Sequence, residues 1–237
     1  MRRQKVSIVI PTYNEKENIL ILIPEIQKIF QGLANYQPEV VIVDDNSPDK
    51  TGYEAQKKFK PPGIRVYIRK IERGLASAIK LGIEKSSGDI IVGMDADFNH
   101  DPKIIPNLLK KLETSKIVVA SRFIKGGGMD DKLRFWGTKI FNLILRLFFG
   151  FPSSDNASGY YAIKRENLIE LGLDKIYYGY GEYHLRLVYL AKKAGYKFEE
   201  TPVYYKARIY GQSKSKLFQM AKDYLREAIS LSFGQEK

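Results

Sequence analysis

The stretch Ile90-Ile-Val-Gly-Met-Asp-Ala-Asp97 is an apolar, strand-like run that ends in two carboxylates one residue apart, with Phe98-Asn99-His100 directly behind. A strand that finishes this way sets fixed negative charge at a sheet edge. Carboxylate oxygens are hard ligands suited to Mg²⁺ or Mn²⁺. Mg²⁺ typically takes one or two of them and fills its other positions with water and substrate phosphate oxygens. The same residue types also build strand-to-helix turns, since Asp and Asn cap helices and Pro102 stands where a helix starts. On the pair alone, turn and metal site are both open.

Strand-like runs recur on either side. Residues 6–10 (Val-Ser-Ile-Val-Ile) are broken by Pro11-Thr-Tyr-Asn-Glu15, and a helix is expected from about 15 to 31 on Ile19, Leu22, Ile23, Ile26 and Ile29. Residues 39–43 form a second strand ending in Asp44-Asp45-Asn46-Ser47-Pro48-Asp49, with a helix from Thr51. Residues 64–68, 89–93 and 117–120 read as further strands, and Gly74-Leu-Ala-Ser-Ala78 opens a helix. This alternation predicts an α/β fold: a Rossmann-like, mostly parallel sheet flanked by helices, with ligands at the carboxyl ends of the strands. Beyond residue 125 the alternation loosens. Residues 126–128 read as a flexible glycine loop, 134–151 as a strongly apolar helix, 156–163 as a loop and short strand, 182–194 as a helix, 197–205 as a strand and 215–233 as a final helix.

Composition narrows the chemistry. The 237 residues are 44% hydrophobic and 28% charged, ordinary for a soluble globular chain long enough for one α/β domain over residues 1–237. There is no cysteine, which excludes disulfides and thiolate chemistry, and the histidines are His100 and His184 only. The formal charge of +12 favours anionic partners, whether nucleic acid, lipid headgroups or phosphorylated substrates. No nucleic-acid readout motif accompanies it. Neither a signal-peptide core nor a run of ~18 to 20 apolar residues is present, so a cytoplasmic location is expected. No Gly-x-Gly-x-x-Gly and no Walker sequence occurs. Where those folds place glycines stand Tyr13, Glu15, Asp44 and Asp45, an acidic and aromatic rim suited to a base and ribose.

Taken together, Pro11-Thr-Tyr-Asn-Glu15, Val43-Asp-Asp-Asn-Ser-Pro-Asp49, Arg73-Gly-Leu-Ala-Ser-Ala78, Met94-Asp-Ala-Asp97 with His100, Ser121-Arg-Phe123 with Gly126-Gly127, Ser158-Gly-Tyr-Tyr-Ala162 and the basic loop 206–217 resemble one group. It is the dolichyl-phosphate mannose synthase group of family 2, GT-A-fold glycosyltransferases, and the resemblance covers nearly the whole chain. It implies an inverting, metal-dependent transfer of mannose from GDP-mannose to dolichyl or another polyprenyl phosphate. Residues 1–125 would then be the nucleotide-sugar and metal half, and 126–237 the acceptor and membrane-interface half. Pro11, Tyr13, Glu15, Asp44 and Asp45 would hold the nucleotide. Asp95 and Asp97 would ligate Mg²⁺ or Mn²⁺ with Asn99, which stands where the group often has Gln. Arg122, Arg134, Thr138, Arg208 and Lys214 would meet the donor and acceptor phosphates, with Asp95, Asp97 and Arg122 the catalytic set. Asp49 reads equally as a helix-start residue.

A UDP-sugar donor, glucosyl or N-acetylhexosaminyl, is the close alternative within that class. A non-catalytic membrane-surface or nucleic-acid binding protein is the alternative outside it, opposed by the retention of Asp95, Asp97 and the basic loop. A polyprenyl phosphate needs no general base, because its second pKa near ~6 leaves it largely anionic at neutral pH. The lipid acceptor favours reading the helices over 134–151 and 215–233 as amphipathic and interfacial, against the commoner core helix, and places the chain peripherally on the cytoplasmic face of the membrane. Along the first of these the polar residues Thr138, Lys139, Asn142 and Arg146 lie at helical spacing, Arg134, Thr138 and Asn142 share one stripe, and apolar residues cover the remaining circumference. On the second, Leu217, Met220, Ala221, Tyr224, Leu225, Ala228 and Leu231 lie together. Many members of the group continue into transmembrane segments where this chain stops. It is therefore read either as a short form served by a separate membrane protein or as a truncated one.

Overall fold

A parallel strand covered on both faces can be largely apolar, and the central strands here are buried along most of their length. The structure, a computed structural model, describes residues 3–206 and 217–234. The first half alternates β1 (Gln4–Thr12), α1 (Lys16–Gln31), β2 (Tyr36–Asp44), α2 (Thr51–Lys58), β3 (Ile64–Ile68), α3 (Leu75–Lys85) and β4 (Ile90–Gly93). A single 3₁₀ turn, Pro102–Ile104, then leads into α4 (Ile105–Leu112) and β5 (Ile117–Ser121). The second half contributes β6 (Gly128–Met129), α5 (Lys132–Phe149), β7 (Tyr161–Lys164), α6 (Arg165–Leu171), α7 (Leu173–Ile176), α8 (Tyr183–Lys193), β8 (Phe198–Pro202), β9 (Tyr204–Tyr205) and α9 (Leu217–Ser232).

Seven strands form one sheet in the order β3-β2-β1-β4-β7-β5-β8. All neighbours are parallel except β7, which runs antiparallel to both β4 and β5. The two-residue side-chain period divides the core between the two faces. Ile8 and Ile10 of β1 with Val118 and Ala120 of β5 face the layer of α1 and α4; Val9, Ile117 and Val119 face α3, α6 and α8. On α1 the buried stripe is Ile19, Leu22, Ile23, Ile26 and Phe30, so Phe30 and not Ile29 completes it, as i+4 spacing from Ile26 requires.

Three expectations change. Residues 126–128 are no flexible loop: Gly128 pairs with Tyr204 in a second, two-stranded sheet, and a Cβ on Gly127 would lie 2.6 Å from the Ser121 carbonyl oxygen. The strand expected over 197–205 breaks at Val203, so β8 stays in the main sheet while β9 pairs with β6. The short helices α6 and α7 have no counterpart in the sequence reading, because seven and four residues display too little helical period to detect.

At the edge of the sheet away from the strands' carboxyl ends, the buried Glu39 ties β1, β2 and the loop before β4 together. It accepts hydrogen bonds from Ser7 Oγ at 2.6 Å, Ser87 N at 2.7 Å and Ser87 Oγ at 2.8 Å, and pairs with Lys5 and Arg65. Burial alone would push this carboxyl up, but the hydrogen bonds from Ser7, Ser87 and Lys5 outweigh it and hold the pKa at about 2, against 4.5 ordinarily. A pKa lowered by folding stabilises above the unfolded value and is lost as pH falls through the folded one. Chemical denaturation of the wild type is therefore expected to lose on the order of 3 kcal/mol from this group between pH 4.5 and 2. Glu39→Gln should be less stable at neutral pH and flatter over that window.

Candidate active site

The carboxyl ends of β1, β2 and β4 open onto a cavity of about 470 Å³. Pro11 and Thr12 end β1, Tyr13 and Glu15 follow it, Asp45 follows β2, Arg73 and Gly74 precede α3, and Asp95, Asp97 and Asn99 follow β4. Arg122 after β5 and Arg134 on α5 line the same cavity, with Tyr180, Tyr183 and Tyr224. Most of the residues singled out in the sequence therefore meet in one place, although they span 123 positions of chain from Pro11 to Arg134.

Asp44 is the exception on the nucleotide side. It is fully buried and absent from the cavity wall, accepting from Thr12 Oγ1 at 2.9 Å, Ser47 N at 2.9 Å and Ser47 Oγ at 2.5 Å. Its task is to fold the turn after β2. Asp45, one residue on, reaches the cavity: it accepts from Arg69 Nε at 2.6 Å and from the Gly74 backbone N–H at 2.8 Å. Arg69 in turn donates to Ser77 Oγ and the Gly74 carbonyl oxygen, both at 2.8 Å. Asp49 accepts from Thr51 N at 2.9 Å and Lys16 N at 3.2 Å, which is a helix-start role.

The turn after β4 is held by histidine. The Asp95 N–H donates to His100 Nδ1 at 2.8 Å, so the ring proton sits on Nε2, 2.8 Å from Tyr205 Oη and 3.1 Å from the Ser158 carbonyl oxygen. Both ring nitrogens are thus engaged: Nδ1 holds the Asp95 N–H, and Nε2 fixes the ring against Ser158 and Tyr205. Asp97 accepts from Asn99 N at 3.1 Å and Asn99 Nδ2 at 2.9 Å. Between them Phe98 has φ of 62°, a left-handed conformation that bulky residues avoid and that costs on the order of 1–2 kcal/mol. Among the described residues no group of three or more His, Cys, Asp or Glu could enclose a metal by itself. Two carboxylates and an amide oxygen beside an open cavity suit a hard divalent ion that completes its shell with water and phosphate oxygens.

Arg122 is buried and answers to Asp155. Its backbone N–H donates to Asp155 Oδ2 at 3.0 Å, its Nε at 2.6 Å, and its Nη2 donates to Oδ1 at 2.6 Å. Burial pulls the guanidinium down, yet the charge and hydrogen bonds of Asp155 outweigh it and hold the group above its ordinary value. Arg134 lies near the start of α5 on the cavity wall; Thr138, one turn on, is not part of that wall. Arg208 and Lys214 lie outside the described residues. Burial pushes the phenols of Tyr183, Tyr205 and Tyr224 up, so at neutral pH they are uncharged.

Helix α5 is inverted relative to a core helix. Its buried residues are Asn142 and Leu145, and Asn142 Oδ1 accepts from the Asn156 N–H at 2.7 Å. Trp136, Ile140, Leu143, Leu147 and Phe148 face outward, the last two 71% and 76% exposed. On α9 the stripe splits: Tyr224, Ala228 and Leu231 are buried, whereas Leu225 and Ala221 are exposed. No helix among the described residues is long and apolar enough to cross a membrane.

The family profile described as glycosyl transferase family 2 matches residues 7–172. The chain belongs to glycosyl transferase family 2. It is 36% identical over 222 residues to a dolichol-phosphate mannosyltransferase of Pyrococcus furiosus, covering 90% of this chain and 59% of that protein. It is 30% identical over 221 residues to an undecaprenyl-phosphate mannosyltransferase of Micrococcus luteus, covering 89% and 87% of the two chains. The present chain therefore spans less than two thirds of the Pyrococcus relative. Among solved structures, glucosyl-3-phosphoglycerate synthase of Mycobacterium tuberculosis, in complex with Mn²⁺, uridine diphosphate and glucosyl-3-phosphoglycerate, superposes with a TM-score of 0.71 at 22% identity. That match covers 97% of this chain and 80% of the other, and the shared fold is GT-A.

In this family 2 chain the cavity also contains residues that sequence reasoning did not assign. Arg73 stood inside a quoted motif but was given no role. Tyr180, Tyr183 and His184 lie at the start of α8, and Met220 and Tyr224 come from α9. The repeated Tyr and Gly of Tyr178-Gly-Tyr-Gly-Glu-Tyr183, just ahead of a helix, was the available signal.

Because Arg122 and Asp155 are both buried, removing one leaves an uncompensated charge. Asp155→Ala is expected to lower the melting temperature by roughly 10 °C. Replacing both residues with leucine should recover much of that loss, a contrast that calorimetric melting of the two variants reads directly.

Proposed function

We propose that the chain transfers mannose from GDP-mannose to dolichyl or another polyprenyl phosphate, inverting the anomeric carbon and releasing GDP. The observation that carries this reading is the gathering, in one cavity, of a hard-ligand carboxylate turn and the cations Arg122 and Arg134, beside a helix that presents apolar residues outward. The names of the Pyrococcus and Micrococcus relatives point to the same lipid-phosphate class.

The residues divide the work by charge. Pro11, Tyr13, Glu15 and Asp45 line the end of the cavity suited to base and ribose, and Asp45 also fixes the Arg73-Gly74 turn. Asp95 and Asp97, with Asn99, would hold a divalent ion, Mg²⁺ or Mn²⁺, whose charge offsets that developing on the leaving diphosphate. Arg122, oriented by Asp155, and Arg134 line the same cavity and would supply the cations an incoming phosphate monoester needs to approach a second anion. An acceptor phosphate oxygen forms the new bond to the anomeric carbon as the bond from that carbon to the diphosphate oxygen breaks. No proton has to be removed from the nucleophile. That suits a cavity in which His100 spends both nitrogens on structure and the buried tyrosines stay uncharged.

Calorimetric titration with GDP-mannose, UDP-glucose and UDP-N-acetylglucosamine, each with Mn²⁺ and with chelator, tests the donor. Metal-dependent binding of GDP-mannose that Asp97→Ala abolishes, with little change in melting temperature, is the expected result. Preference for a UDP-sugar would replace mannose by the alternative donor class, and metal-independent binding unaffected by Asp97→Ala would remove the role given to that turn.

The exposed face of α5 supports peripheral attachment to the membrane that supplies the acceptor. In co-sedimentation with phospholipid vesicles, Leu147→Ser with Phe148→Ser is expected to weaken binding by roughly tenfold or more. Affinity for the sugar nucleotide should not change.

A further inference from the structure

His184 is the second residue of α8 and borders the cavity, yet it is only 1% exposed. Its ring lies between those of Tyr161 and Tyr183, with centroids 5.8 and 6.1 Å away. Neither ring nitrogen has a hydrogen-bond partner among the described residues. Buried polar atoms are nearly always paired, and leaving one unpaired costs free energy that an apolar side chain of the same shape would save. The contrast with His100 is direct, since both nitrogens of that ring are engaged. Among the described residues no hydrogen-bond partner accounts for an imidazole at position 184.

Resting on the transfer reading above, we propose that His184 is a specificity-determining residue that hydrogen-bonds a hydroxyl of the transferred sugar. The class of ligand follows from the chemistry of the ring. Burial pushes its pKa down to about 3, against the opposing pull of Asp155, so at neutral pH the imidazole is uncharged. A neutral imidazole offers one N–H donor and one lone-pair acceptor. A sugar hydroxyl both donates and accepts, and so matches it. A phosphate oxygen at neutral pH only accepts, and the cations Arg122 and Arg134 already serve that need. The ring would give up no existing hydrogen bond on engaging a hydroxyl, so the whole gain goes to the sugar and none to the nucleotide. Discrimination of this kind is strong because a ligand lacking the hydroxyl leaves the buried group unpaired.

The chain contains only two histidines, so the imidazole ¹⁵N signals of His184 can be followed without crowding. With Mg²⁺ present, GDP-mannose is expected to shift the His184 signals and fix one tautomer, while GDP alone leaves them as in the free protein. Calorimetry supplies the second readout. His184→Phe should keep the wild-type affinity for GDP and lose roughly tenfold in affinity for GDP-mannose, with His184→Gln intermediate. It should also melt no lower than the wild type, because it removes an unpaired buried polar group.

Equal GDP-mannose affinity in His184→Phe and wild type would overturn the inference and leave the transfer reading standing. So would His184 signals that do not move when calorimetry shows the sugar nucleotide bound. Failure of the wild type to bind any sugar nucleotide would overturn both. If the substitutions prevent folding, the wild-type spectra alone decide.

Discussion

The proposed transfer would bring two phosphate-bearing substrates together in a cavity whose own rim is acidic, and the placement of charge around that cavity bears on this electrostatic problem. Carboxylates sit at the ends of β1, β2 and β4 because parallel strands all deliver their carboxyl ends to one edge. Those not facing the cavity are neutralised or hydrogen-bonded locally: Asp44 by Thr12 and Ser47, Asp49 by Thr51 and Lys16. Asp155 is spent on Arg122. What remains on the wall is the carboxylate turn with Glu15 and Asp45, together with the guanidinium groups of Arg73, Arg122 and Arg134. The proposed sugar nucleotide and phosphate monoester would approach one another most readily in a cavity that offers such cations.

A polyprenyl phosphate acceptor, as proposed, would bring the second constraint of poor solubility in water. Helix α5 is tied to the protein through polar atoms, Asn142 to Asn156, and leaves Trp136, Ile140, Leu147 and Phe148 outside. Arg134, at the start of the same helix, lines the cavity. One element therefore joins the outward apolar surface to the cavity wall, over a length of 18 residues or about 27 Å.

Much of this was legible in the chain. Strand runs 6–10, 39–43, 64–68, 89–93 and 117–120 are mostly apolar, interrupted only at Ser7, Glu39, Arg65 and Asp89, and each falls on a strand of the sheet. The gathering of Pro11, Tyr13, Glu15, Asp45, Asp95, Asp97, Asn99, Arg122 and Arg134 in one cavity followed from reading those strands as parallel. What escaped depends on long-range partners. Adjacent carboxylates 44 and 45 look alike in sequence, but they point to different surroundings because neighbouring residues at a strand end face opposite ways. That Arg122 is held by Asp155, 33 residues later, has no local signature. Helical periodicity marked α5 and α9 as amphipathic without saying which side faces in; Asn142 in and Phe148 out reverses the usual order. The insertion of β7 between β4 and β5 was hidden for the same reason, since pairing order is not a property of any one segment.

The central claim is that a lipid phosphate, already ionised, is the nucleophile. The most direct measurement is transfer from GDP-mannose to a short polyprenyl phosphate by the purified protein with Mg²⁺, followed as a function of pH and by the anomeric configuration of the product. The account predicts an inverted mannosyl phospholipid, with a rate that rises through the second ionisation of the acceptor near ~6 and then levels off. Transfer to an unphosphorylated polyprenol at a comparable rate, or retention of configuration, would contradict it.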